Sequence, residues 1–151
     1  MITIRQGKLK DAGVIADFQI ALAWESERLQ LDRAIVKKGV RAIFRDKSRG
    51  RYYMAQIDGE VVGMLLIIPE WSDWRNATVL WIHSLYVRPE ARGKGVFKKM
   101  FEFLRKKVER SKRFSGLRLY VDKDNRQAKA VYEKLGMNKE HYLMYEWMKE
   151  D

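Results

Sequence analysis

Between an apolar strand ending Leu85-Tyr86-Val87 and an amphipathic helix from about Val96 to Arg110 lies Arg92-Gly93-Lys94-Gly95. This junction constrains the chain more than any other segment. The first backbone N–H groups of a helix have no intrahelical partner, and the dipole adds roughly half a positive charge there. Glycines allow the backbone to close around a phosphate, and Arg92, Lys94, Lys98 and Lys99 add full charges. The segment reads as a pyrophosphate cradle, although a plain turn before a helix uses the same residues. It is not a P-loop, which needs a longer glycine-bracketed loop ending in Lys and Ser/Thr. Nor is it a dinucleotide fingerprint, because Phe97 stands where a small residue is wanted and no βαβ unit opens the chain.

The 151 residues suit one domain spanning 1–151, long enough to bury a core. No stretch has the length of a membrane span, and Met1 leads directly into a strand-like segment, so no membrane partner and a cytoplasmic location are expected. Cysteine is absent and His83 and His141 are the only histidines, which excludes thiolate and histidine-rich metal sites. The net charge is +11, and Arg88 to Arg118 holds twelve Lys/Arg against three Glu, a net of +9. Such a surface suits a polyanionic cofactor or nucleic acid, or is simply solvated. With no interleaved stacking platform or recognition motif, nucleic acid is the least favoured partner.

Hydrophobic periodicity predicts a strand at Ile2–Arg5, a helix over Leu9–Leu22 and a second helix over Asp32–Phe44 with Asp32 as N-cap. Arg51–Ile57 and Glu60–Ile68 form a hairpin about Asp58-Gly59, with the return strand stopped by Pro69. A polar-aromatic loop, Trp71-Ser72-Asp73-Trp74-Arg75-Asn76, precedes a nearly continuous apolar strand, Thr78–Val87. Beyond the basic helix, a strand is predicted at Leu117–Val121, a helix at Arg126–Leu135 capped by Gly136, and a closing strand at Met137–Trp147. The order β-α-α-β-β-β-α-β-α-β implies an α/β (mixed α+β) fold, a mostly antiparallel sheet of six to seven strands flanked by about four helices. The closing strand, with Tyr145-Glu146-Trp147, is suited to pair with a second copy or to remain an edge, which leaves a homodimer open.

Two ordered motifs make the chain resemble the GNAT superfamily of N-acetyltransferases over nearly its whole length. Arg92 and Gly95 fill the first positions of the Arg/Gln-x-x-Gly-x-Gly/Ala signature, with Phe97 at the last. Asn125, Ala128, Tyr132 and Gly136 match the second signature, with Met137 in place of its Phe. The resemblance implies acetyl-CoA as cosubstrate, no metal, and an amine-bearing acceptor, a small molecule or a peptide. It implies that backbone groups of Leu85, Tyr86 and Val87 pair with the pantetheine arm, and that Gly93, Lys94, Gly95, Val96, Phe97 and Lys98 surround the pyrophosphate. Asn125 is implied to bond the cofactor arm or nearby backbone, and Tyr132 to protonate the departing thiolate.

The base is not implied by any Glu, since Thr78–Val87 contains none. His83 is the candidate on that strand, and Glu25 and Glu27, at the junction after the first helix, are candidates on the acceptor side. A water chain is a further option. Trp71, Asp73 and Trp74 form a candidate wall for an amine through cation–π and ionic contact, or else a core cap or subunit contact. The alternative to an enzyme is a non-catalytic acetyl-CoA-binding regulatory module, favoured by Phe97 and by the missing Glu.

Overall fold

The computed structural model describes residues 1–150. Five strands and four helices follow in the order β1 (Ile2–Gln6), α1 (Ala12–Glu27), α2 (Arg33–Arg45), β2 (Arg51–Ile57), β3 (Glu60–Ser72), β4 (Ala77–Val87), α3 (Val96–Glu109), β5 (Phe114–Leu119) and α4 (Arg126–Lys134). Short 3-10 turns at Leu9–Asp11 and Pro89–Ala91 precede α1 and the β4–α3 loop. The chain divides into a compact unit of Met1–Tyr120 and a smaller one of Val121–Asp151.

In the first unit the sheet order is β1-β2-β3-β4-β5, antiparallel throughout except for the parallel β4–β5 pair. A parallel pair needs a crossover, and α3 supplies it. The buried positions of α3, Val96, Met100, Phe101 and Leu104, repeat at three- and four-residue spacing, so one face of the helix is covered. On α1, Ile15, Ala16 and Phe18 are buried and join Met54, Met64 and Tyr86 in one core cluster. Arg5 and Asp11 clamp the entry to α1 with two hydrogen bonds of 2.8 and 2.9 Å, and Asp11 also accepts from the Lys8 amide at 2.8 Å. Asp32 caps α2 by accepting from the Ile35 amide at 3.0 Å, as the sequence predicts.

Three expectations are corrected. Pro69 does not end β3, which continues to Ser72. Pairing of β3 with β2 stops at Ile67, so Pro69 sits where β3 is an edge on that side, and its missing N–H costs no ladder bond. The first helix extends to Glu27, which places Glu25 and Glu27 in its last turn and not in a junction. The predicted strand at Met137–Trp147 is not formed, so the sheet has five strands and not six or seven. A strand exists only through its ladder, and residues 137–150 make none here; Tyr142, Leu143, Tyr145 and Trp147 are exposed.

Candidate active site

Strand β4 changes character at His83. Leu66 lies opposite Ser84 and Ile67 opposite Ile82, so His83 is the extra residue of a β-bulge. The parallel ladder with β5 runs from Thr78 to Ile82 and ends at the same place. Beyond it, Ser84 to Val87 keep their β3 partners, Gly63 to Leu66, but have no β5 partner. A bulge twists and bends its strand, so the β5-facing edge of this segment is left as a template for an added extended group. Gly63 lets the strands close up here, because a Cβ on it would stand 2.7 Å from the Tyr86 carbonyl oxygen.

The opened segment is braced from α1. Gln19 donates a 2.8 Å hydrogen bond to the buried Ser84 hydroxyl, and Tyr86 packs on Phe18 with ring centroids 5.1 Å apart. The phenol of Tyr52, beside Gln19, is pushed up to about 12 by burial. His83 retains an exposed surface, yet the protein packed around it removes enough water to lower its pKa below the usual imidazole value.

The loop after β4 has the geometry of an anion cradle. Gly93 and Gly95 hold φ of +76° and +86°, a region other residues avoid, and a Cβ on either would meet nothing within 4 Å. Gly95 is the N-cap of α3 and, as a glycine, brings no capping side chain to the helix start. Lys94, Lys98 and Lys99 are exposed around it. These residues fit a pyrophosphate. Phe97 is half-buried, whereas its neighbours in register, Phe101 and Leu104, are fully covered.

Arg92, expected to add charge to the cradle, is instead turned back towards α1. Its Nε donates to the Val87 carbonyl at 2.9 Å and its Nη2 to Glu25 Oε2 at 2.6 Å, while the guanidinium lies 5.5 Å from the Tyr86 ring centre. The Tyr86 hydroxyl donates to Glu25 Oε1 at 3.4 Å. Burial, followed by the adjacent Glu25 charge, raises the Tyr86 pKa. The structure therefore joins Glu25, Tyr86, Val87 and Arg92 into one cluster at the mouth of the opened strand.

Other predicted residues are placed elsewhere. Glu27 is exposed at the end of α1. Trp71, Asp73 and Trp74 belong to the tip of the β3–β4 hairpin, where Trp71 and Trp74 are exposed and Asp73 accepts from the Trp74 amide at 3.0 Å. From Ala77 to His83 the strand rise amounts to roughly 20 Å, so that tip is not gathered with the bulge. In the second unit, Asn125 caps α4 by accepting from the Ala128 amide at 3.1 Å. Burial raises the pKa of the Tyr132 phenol, two turns along the same helix.

The bracing residues Gln19 and Ser84 were not singled out from the sequence. A glycine inside an apolar strand, Gly63, was the one available sign of a close backbone approach.

Residues 17–137 match the model of the acetyltransferase (GNAT) family. A possible acetyltransferase from Clostridium difficile 630 is 39% identical, with a TM-score of 0.94, over 100% of this chain and 99% of that one. An uncharacterized N-acetyltransferase from Archaeoglobus fulgidus is 36% identical over 81 residues, 52% of this chain and 54% of its own length, so the chain spans about half of that curated relative. An aminoglycoside N-acetyltransferase crystallised with CoA shares the fold at a TM-score of 0.78, with 14% identity over 99% of this chain and 95% of that one.

Proposed function

Because the chain belongs to the acetyltransferase (GNAT) family, we propose that it transfers the acetyl group of acetyl-CoA to a primary amine of a small molecule or peptide, directly, in a ternary complex. The observation that carries this reading is the end of the β4–β5 ladder at the His83 bulge, followed ten to thirteen residues on by the Gly93–Gly95 cradle and the start of α3, whose N-cap is a glycine. Backbone groups of Leu85, Tyr86 and Val87 take the pantetheine arm as an added strand, and an amide of this segment polarises the acetyl carbonyl. The amides of Gly93 to Lys98 take the pyrophosphate.

In the reaction the amine nitrogen attacks the acetyl carbon, the C–S bond breaks, the amine loses a proton and the thiolate gains one. Glu25 is committed to Arg92, so His83 is the better-supported base: its lowered pKa keeps it neutral at pH 7 and able to accept that proton. Tyr132 is assigned as the acid, since its raised pKa keeps the phenol protonated. Within this reading Glu25 positions the cradle loop and does not touch the reacting atoms.

Calorimetry with acetyl-CoA and with desulfo-CoA tests the proposal, on the native protein and on Gly95→Trp, which obstructs the cradle. Micromolar binding that disappears in the variant is the expected result, followed by thiol release in an amine screen. A folded native protein that binds neither ligand would overturn the reading.

A further inference from the structure

At the far end of α3 from the cradle lies a second concave surface, an open groove of about 660 Å³. The helix has 14 residues, so the two ends are separated by roughly 20 Å. The floor is apolar, with Ile67 and Leu80 buried and Phe103 and Phe114 half-buried. Six cations line it: Lys47, Arg51, Lys106, Lys107, Arg110 and Arg113. No acidic residue is among the lining residues.

None of the six forms a salt bridge among the described residues, whereas Lys98 and Arg105 of the same helix pair with Glu102 and Glu109 at 3.9 and 3.7 Å. Cations in the last turn of a helix offset its dipole, which accounts for Lys106 and Lys107 and for Arg110 just beyond them. It does not account for Lys47, Arg51 and Arg113, which come from other segments and face the same groove. Phe114 has Lys107 and Arg113 within 6 Å of its ring centre, so an aromatic surface and positive charge are presented together.

We infer that this groove binds the phosphodiester backbone of a single-stranded nucleic acid. Six positive charges around a concave surface, none of them in a salt bridge among the described residues, match a polymer with one negative charge per residue. A folded protein partner would bring mixed charges, whereas this lining offers positive ones alone. A duplex is read by an element that protrudes into its groove, and this surface is recessed. A positive groove with aromatic side chains in its lining suits a single strand, bound with little sequence preference. Charge summed over the sequence could not separate this surface from the cofactor cradle; the fold places them at opposite ends of α3.

The experiment is fluorescence anisotropy with a labelled oligouridylate of about 12 nucleotides, between about 50 and 200 mM salt. The native protein is compared with Lys106→Glu/Arg110→Glu and with a charge-matched control on α2, Lys37→Glu/Lys38→Glu. The groove variant is expected to lose about tenfold or more in affinity with a shallower salt dependence, the control to change by about twofold or less. Acetyl-CoA affinity, which reports both folding and the separate cradle, is expected to be unchanged in both variants. Absence of RNA binding by the native protein, equal losses in the two variants, or displacement of the RNA by acetyl-CoA would each overturn the assignment. The RNA-binding outcomes of the native protein and the two variants stand without the acetyl-transfer reading, whereas the acetyl-CoA controls rest on it.

Discussion

Glu25, in the last turn of α1, receives a 2.6 Å hydrogen bond from Arg92, the first residue of the cradle loop, across 67 positions of sequence. A carboxylate at the negative end of a helix is unfavourable unless a cation meets it. Arg92 meets it here and also donates to the end of β4 through the Val87 carbonyl, so α1, β4 and the loop are held by one guanidinium. Both side chains are over a third exposed, which limits the pair's contribution to stability. A double-mutant cycle with Glu25→Ala and Arg92→Ala in urea unfolding should give a coupling of about 0.5 kcal/mol. The same variants should raise the KM for acetyl-CoA severalfold with a smaller change in kcat, because the loop loses its strut and not a reacting group.

Gly63→Ala and Gly95→Ala should separate packing from backbone conformation. At Gly63 a new Cβ would press on the Tyr86 carbonyl at 2.7 Å, forcing β3 from β4; the expected cost is about 2 kcal/mol, with weaker acetyl-CoA binding. At Gly95 the Cβ meets nothing, and the cost is the left-handed φ of +86°, about 1 kcal/mol. Thermal unfolding and calorimetry of the two variants check both values.

The pH profile should carry two limbs. His83 has a lowered pKa, so the acid limb of kcat/KM is expected below pH 6.5 and should be lost in His83→Gln. Tyr132 has a raised pKa, so activity should persist above pH 10, and Tyr132→Phe should lower kcat about a hundredfold with little change in KM. An unaltered profile in both variants would remove the acid–base assignment.

Asp11 is buried against Arg5, whose hydrogen bonds hold its carboxyl below the ordinary value of 3.8. A folded-state pKa below the unfolded one contributes stability that is present above pH 3.8 and is lost as the pH falls through the folded value. Asp11→Asn should therefore destabilise the protein by about 2 kcal/mol at pH 7 and flatten its stability profile in the acid range, as measured by urea unfolding.

Much of this was legible in the sequence. Asp32 announced α2, Asp58-Gly59 the β2–β3 turn, and Arg92-Gly93-Lys94-Gly95 the loop before α3, because capping, left-handed φ and helix periodicity are local properties. The two motifs identified the family, which the match over residues 17–137 establishes. Other features depend on which strand lies beside which. The bulge at His83 exists only as a register shift against Leu66 and Ile67, and the opened edge only as the place where β5 stops pairing. Pro69 reads as a strand end until β2 is seen to stop at Ile67. Met137–Trp147 reads as a closing strand but forms no ladder. The conversion of Arg92 from a cradle charge to a strut, and the gathering of six cations at the other end of α3, likewise required distant segments to meet. Local backbone preference is written residue by residue and survives reading one residue at a time; pairing, register and charge proximity are relations between residues far apart in the chain, and only the folded structure sets them.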